Sequence, residues 1–318
     1  MKNRALVLLS GEGTTLPSAE AKALFLAYDQ DSKFESPHRR ILIADSRADP
    51  LRVGSRIAFA RRVGRLVESR AEAAGIVEGH RVRFRSIDVR ERQGAASPEP
   101  YMEGLDVTVD LDDPEYELTV VRGDDEYFAV TAPTMMKQGW SMRRPRKRPF
   151  FHPAAIFPKL SRALVNLTRC REGEVFLDPF CGTGSIPIEA HVIGARVLAA
   201  DIADNMVRGA LRNMKHFGQD WLGVIRADAG MTPIRGADAV ATDIPYGRAS
   251  SARGRAPKDV MEDLVARVAS LMSSGSLLVV MHPQTVPAPE SRELHILEEH
   301  HLHVHKLLTR TITVLGRR

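Results

Sequence analysis

A two-part α/β chain, with a parallel sheet wound on both faces in its C-terminal half and a smaller α+β region before it, is what three observations predict. Four short apolar runs each end on an acid: residues 175–177 before Asp178, 196–200 before Asp201, 223–227 before Asp228 and 237–242 before Asp243. Helical patterns separate them, and successive strands ending in acids describe the carboxyl edge of a parallel sheet, where open α/β folds bind ligands. The first run also passes straight into a glycine-bearing turn, Cys181-Gly182-Thr183-Gly184, that opens a helix. Glycines let a ligand approach the backbone, and the free amides of a helix start point outward. Finally, residues 134–149 have neither helical nor strand period and carry Arg143, Arg144, Arg146, Lys147 and Arg148 beside Trp140, which marks the boundary between the two parts.

In chain order, residues 5–9 read as a strand and 17–28 as a helix whose early Pro17 sits where no amide hydrogen is needed. A strand at 41–44, a helix at about 50–60 and a strand at 63–67 follow, and then a basic alternating strand at 81–88 with Arg81, Arg83 and Arg85 on one face. Residues 92–100 turn to Gly, Ala, Ser and Pro, the composition of a loop. Strands at 106–111, 116–121 and 127–130 come next, the last two joined by the hairpin signal Gly123-Asp124-Asp125. The basic run at 143–148 reads either as a solvated linker or as a hinge that contacts nucleic acid. Beyond it lie a helix ending near Arg171, the four acid-tipped strands, a helix at 260–272, a buried strand at 277–281, and a closing hairpin from 301–306 and 311–315.

Composition narrows the function classes. The 318 residues carry a formal charge of +5 and a pI near 9.3, which fits an anionic partner. No apolar run reaches membrane-spanning length and the start is too soon interrupted for a secretory signal, so a cytoplasmic protein with no membrane partner is expected. The two cysteines, Cys170 and Cys181, lack ligand spacing, which argues against a disulfide frame or a structural zinc. His301, His303 and His305 alternate with Leu302 and Val304, the pattern of a solvated strand face, and no second Cys/His cluster accompanies them, so no metal is expected.

Asp201 follows the glycines by about twenty residues, the spacing of a ribose-binding carboxylate. A nicotinamide enzyme would add a third glycine, yet Ser185-Ile186-Pro187 follow Gly184, and such an enzyme leaves the Asp243-Ile244-Pro245-Tyr246 segment unexplained. Each acid alone could cap a helix, a reading that suits Asp204 and also Asp228.

With VFLDPFCGTGS and ATDIPYG together, the chain resembles the class I S-adenosylmethionine-dependent methyltransferases, and DIPY resembles the Asp/Asn-Pro-Pro-Tyr motif of those that methylate exocyclic amines of bases. LLSGEGTTLPSAEAKAL, ARRVGRLV, VDLDDPEYELTVV and RRPRKRPFFHPAAIFPKLSRALVNL extend the likeness over most of the chain. They are similar to the archaeal tRNA guanine-N2 methyltransferases that carry an N-terminal THUMP region and modify guanosine at position 10. That resemblance implies residues 1–134 as a ferredoxin-like plus THUMP-type tRNA-binding region, 135–149 as a basic linker and 150–318 as the methyltransferase domain.

The same resemblance implies the site. The Asp243 carboxylate and the Ile244 carbonyl would accept the two N–H bonds of the target amine, Pro245 would hold the turn and Tyr246 would offer a stacking face. Asp178 and the amides of Phe180, Cys181, Gly182, Thr183 and Gly184 would meet the methionine end of S-adenosyl-L-methionine, Asp201 the ribose, and Asp228 with Ala229 the adenine. His152 and Asp243 complete the implied cofactor contacts. Ile244 departs from the motif's first proline but keeps the carbonyl, and the span from 85 to 106 is short for a full THUMP domain. A monomer acting on tRNA is expected, with an enzyme for another RNA or DNA amine, or a non-catalytic RNA-binding protein, as the alternatives.

Overall fold

Two separate sheets account for the chain, one largely antiparallel and one largely parallel. The computed structural model describes residues 3–11, 14–90, 94–96, 100, 102–131, 139–218, 221–244, 255–286, 291–305 and 308–318. It divides into two units, Met1–Gly13 with Pro17–Gln138, and Thr14–Leu16 with Gly139–Arg318.

The first unit runs β1 (Asn3–Leu9), α1 (Leu16–Tyr28), β2 (Lys33–His38), β3 (Ile41–Ser46), α2 (Pro50–Arg56), β4 (Ala60–Val67), α3 (Arg70–Val77), β5 (Arg81–Asp88), β6 (Gly94–Ala96), β7 (Thr108–Val109), β8 (Tyr116–Arg122) and β9 (Glu126–Thr131). Its sheet has the order β2-β3-β1-β4-β9-β8-β5-β6, with β7 beside β5. The apolar β1 is buried along Ala5, Leu6, Val7 and Leu8, and packs through Leu24 and Phe25 of α1. The helix expected at 50–60 stops at Arg56, because the Glu20 carboxylate takes the amides of Ala58 and Phe59 at 2.9 and 2.8 Å. The expected strand at 106–111 shrinks to Thr108–Val109.

Three elements escaped the sequence reading, and one of them, β6, falls inside the stretch 92–100 read as a loop. Strand β2, KFESPH, is an exposed edge with little apolar signal. Helix α3 is short and weakly amphipathic, yet its start is written in Ser69 and Glu72. The Ser69 hydroxyl accepts from the Glu72 amide and the Glu72 carboxylate from the Glu68 amide, a variant of the capping box.

The basic face of β5 is met by acids from neighbouring segments. Arg81 pairs with Asp113 at 2.9 Å, and Arg83 and Arg85 lie 3.6 and 2.9 Å from the buried Glu117. Burial raises the Glu117 carboxyl, but the hydrogen bond from Arg85 and the charge of Arg62 outweigh it and leave it below its ordinary range.

The second unit contains α4 (Pro158–Leu167), β10 (Val175–Asp178), α5 (Ser185–Val192), β11 (Arg196–Asp201), α6 (Asp204–Phe217), β12 (Gly223–Arg226), β13 (Ala237–Asp243), α7 (Pro257–Leu271), β14 (Met272–Pro283), β15 (Leu294–His305) and β16 (Leu308–Arg317). The sheet order is β12-β11-β10-β13-β14-β16-β15. The first five strands in that order are parallel, and β16 enters antiparallel between β14 and β15. Leu177, Val240, Leu278 and Val280 pack one face against Leu264 and Val268 of α7. Chain reversal falls between β10 and β13, so the acids ending β10, β11 and β13 border one switch point.

Asp204 does not cap α6 as expected. The cap position is Ala203, and Asp204 lies inside the first turn, where its carboxylate meets Arg208 at 3.0 Å.

No helix among the described residues is long and apolar enough to cross a membrane.

Candidate active site

The glycine turn is held open by bonds that cross from strand to strand. Cys181 donates its amide to the Ala200 carbonyl of β11 at 2.8 Å, and Gly182 donates to the Asp201 carboxylate at 2.9 Å. The other Asp201 oxygen accepts from Ala203 at 2.9 Å. Asp201 thus braces the turn, and each of its oxygens retains acceptor capacity beyond the bond it already takes. Gly182 and Gly184 have φ of +48° and +81°, a region that L side chains rarely enter. A Cβ at Gly182 would meet open space, whereas one at Gly184 would touch Met214 and Ala210 of α6. The first glycine leaves approach to the backbone clear, and the second lets α6 close in.

Asp178 ends β10 almost fully buried. Its Oδ1 accepts from the Phe180 amide at 3.1 Å and from the Thr242 hydroxyl at 2.7 Å. Burial pushes the Asp178 carboxyl up to about 7, and the nearby charge of Asp201 adds to the rise. Burial also raises Asp201. The Cys181 thiol is driven well above its usual range by burial and then by these two carboxylates, so it is held as an inert thiol. Two desolvated carboxyls beside an open glycine turn suit a ligand that brings positive charge, as the sulfonium and ammonium of S-adenosylmethionine do.

Thr242 joins this cluster to the other half of the site, because the next residue is Asp243. Asp243 is bound by Arg310 of β16: Nη1 donates to Oδ2 at 2.9 Å, and Nη2 donates to Oδ1. Burial lowers the Arg310 guanidinium to about 10, still protonated at neutral pH. Ile244 is buried, and its amide donates to the Met281 carbonyl at 2.9 Å, which extends β13 along β14 by one residue. Pro245 and Tyr246 lie outside the described residues.

The remaining expected residues are placed unevenly. Thr183 is buried, with its hydroxyl 3.3 Å from that of Ser185. Asp228 caps a short 3-10 turn, Ala229–Met231, by accepting from Gly230 at 2.9 Å, and Ala229 is buried in the core against α7. Asp228 therefore has the capping role that its sequence also allowed. His152 hydrogen-bonds within its own turn, accepting from the Ala154 amide at 3.3 Å.

Sequence reasoning missed the anchors beneath the turn. Arg143 forks onto Glu189 of α5 at 2.6 and 3.2 Å, and Arg162 reaches the same carboxylate at 2.8 Å. The guanidinium carbons of both arginines lie 5.2 and 5.5 Å from the Trp140 ring centre. Arg148, also buried, donates to Ser185 at 2.6 Å. Two of the five basic residues at 143–148 are thus fixed inside this unit, while Arg144, Arg146 and Lys147 stay exposed. A glutamate in the apolar helix SIPIEAHV was the available signal, since a buried acid demands a cation. For Arg310 the signal was a charge inside the strand TRTITVL.

This strand order, with its antiparallel β16 and a glycine turn after the first strand, is that of a class I S-adenosylmethionine-dependent methyltransferase. The UPF0020 family model, described as an RMKL-like methyltransferase domain, matches residues 145–307. The tRNA (guanine(10)-N2)-dimethyltransferase of Methanothermobacter thermautotrophicus is 30% identical, over 98% of this chain and 99% of that protein. The tRNA (guanine(6)-N2)-methyltransferase of Thermus thermophilus is 32% identical, over 59% of this chain and 54% of that protein. Among solved structures, TrmN from Thermus thermophilus superposes with a TM-score of 0.52 at 18% identity, covering 99% of this chain and all of that one, a likeness of fold. The chain belongs to the tRNA (guanine-N2) methyltransferase family.

Proposed function

We propose that this protein methylates the exocyclic N2 amine of guanosine at position 10 of tRNA, once or twice, with S-adenosyl-L-methionine as donor. The linkage that carries the reading is Thr242 to Asp243: one residue is bonded to the buried acid of the glycine turn, and the next offers its carboxylate at the end of β13. The near full-length likeness to a position-10 enzyme favours that target over position 6.

When bound, S-adenosylmethionine supplies an electrophilic methyl group. The chain's residues then have separate tasks. Asp178, Asp201 and the amides of Phe180, Cys181, Gly182, Thr183 and Gly184 hold the donor, with Asp228 and Ala229 at its adenine and His152 as a further contact. The Asp243 carboxylate and the Ile244 carbonyl accept hydrogen bonds from the two amine N–H groups, draw the nitrogen lone pair out of conjugation and stabilise the positive charge that grows on it. Pro245 keeps the motif's turn, and Tyr246 gives the extruded base an aromatic face. Residues 1–134 carry tRNA contacts, and exposed Arg144, Arg146 and Lys147 contribute phosphate contacts.

Asp243→Ala tests the division between binding and chemistry. Calorimetry should find donor affinity little changed, while the single-turnover rate falls by about a hundredfold or more. A near-normal rate in that variant would remove Asp243 from the chemistry.

A further inference from the structure

The sheet puts a cation on the residue proposed to act on the amine. Asp243 of β13 pairs in register with Met281 of β14, and Met281 pairs with Ile312 of β16. Because β16 runs antiparallel, Arg310 lies two residues from Ile312 on the same sheet face and further toward the carboxyl edge. Its side chain therefore crosses β14 to reach Asp243. Arg310 is 6% exposed, so the pair is largely shielded from water.

We propose that Arg310 is a positioning residue for methyl transfer, whose guanidinium grips both oxygens of Asp243 and sets the plane in which the carboxylate meets the amine. This rests on the reading that Asp243 accepts a hydrogen bond from the amine. A planar guanidinium matches a carboxylate with two parallel bonds and fixes its orientation in a way that one ammonium does not. The grip uses one acceptor position on each oxygen and leaves the others for the substrate, since an ionised carboxylate has about four. Arg310 acts through Asp243, so its loss should appear in turnover and leave donor binding in place.

The test is a double-mutant cycle on the full-length enzyme with a tRNA transcript, reading single-turnover rate, KM for tRNA, and donor affinity by calorimetry. Arg310→Gln should lower the single-turnover rate by roughly 30-fold or more, with KM and donor affinity within about threefold. Arg310→Lys, which keeps the charge but loses the fork, should recover part of that rate. In an Asp243→Asn background, Arg310→Gln should cost less than about threefold, because its target is already gone. Should Arg310→Gln fail to fold, as judged by loss of donor binding, the Lys variant decides: a wild-type rate contradicts a need for the fork, and a reduced rate with intact donor affinity supports it. An equal loss from Arg310→Gln in both backgrounds, or none in either, overturns the proposal while leaving Asp243 its role. A wild-type rate in Asp243→Asn alone overturns the underlying reading, and the positioning role with it.

Discussion

The side chain of Asn213 holds Phe150 by both ends of its backbone. Its carbonyl oxygen accepts from the Phe150 amide at 2.7 Å and its amide donates to the Phe150 carbonyl at 2.9 Å. The same amide donates to the Thr183 carbonyl at 2.9 Å. One buried residue of α6 thus joins the segment entering the unit to the glycine turn, and the Phe150 ring packs on Gly209 one turn earlier on the same helix.

Asn213→Ala should therefore act on the turn as well as on stability. Losing three bonds at a buried position should cost about 2 to 4 kcal/mol, measured by urea unfolding, and donor affinity should fall in parallel. Gly209→Ala should weaken the same contact, since its Cβ would lie 2.1 Å from the Phe150 ring. Unchanged affinity and stability in Asn213→Ala would show that the turn stands without this tie.

Glu189 supports a second prediction. Removing its charge leaves Arg143 and Arg162 buried without their shared partner, so Glu189→Gln should destabilise by about 3 to 5 kcal/mol. A chain cut to begin at Phe150 loses Arg143 and Arg148 and should be less stable than one beginning at Gly139, as denaturant midpoints of the two will report. Equal midpoints would return residues 139–149 to the status of a free linker.

A third prediction concerns pH. The folded Asp178 carboxyl is raised from its ordinary 3.8 to about 7. Between those values the folded state keeps a proton that the unfolded chain has lost, so this group's contribution to stability declines as pH rises through that window. A cationic donor favours the ionised form, and its binding should release a proton and tighten as pH rises from about 5 to 8. Calorimetry in buffers of different ionisation enthalpy checks both, and an affinity independent of pH over that range would count against Asp178 as a donor contact.

Much of this is legible in the sequence. The acid-tipped strands and the glycine turn stand where their apolar runs end, because a parallel strand buried on both faces is a continuous apolar stretch with an abrupt polar stop. What escaped were features that local pattern does not carry. β2 is a polar edge strand, and α3 announces itself only through Ser69 and Glu72. Arg81, Arg83 and Arg85 alternate as a nucleic-acid face would, yet their partners Asp113 and Glu117 arrive from some thirty residues away. Arg310 and Asp243 are 67 residues apart, and only the antiparallel insertion of β16 brings them together.

The target itself is tested most directly by nucleoside mass spectrometry of an unmodified tRNA transcript incubated with the enzyme and labelled S-adenosylmethionine. The account predicts label in N2-methylguanosine or N2,N2-dimethylguanosine, full incorporation when guanosine 6 is replaced, and none when guanosine 10 becomes adenosine. Full-rate incorporation into the position-10 variant, or label in N6-methyladenosine or N4-methylcytidine, would contradict it.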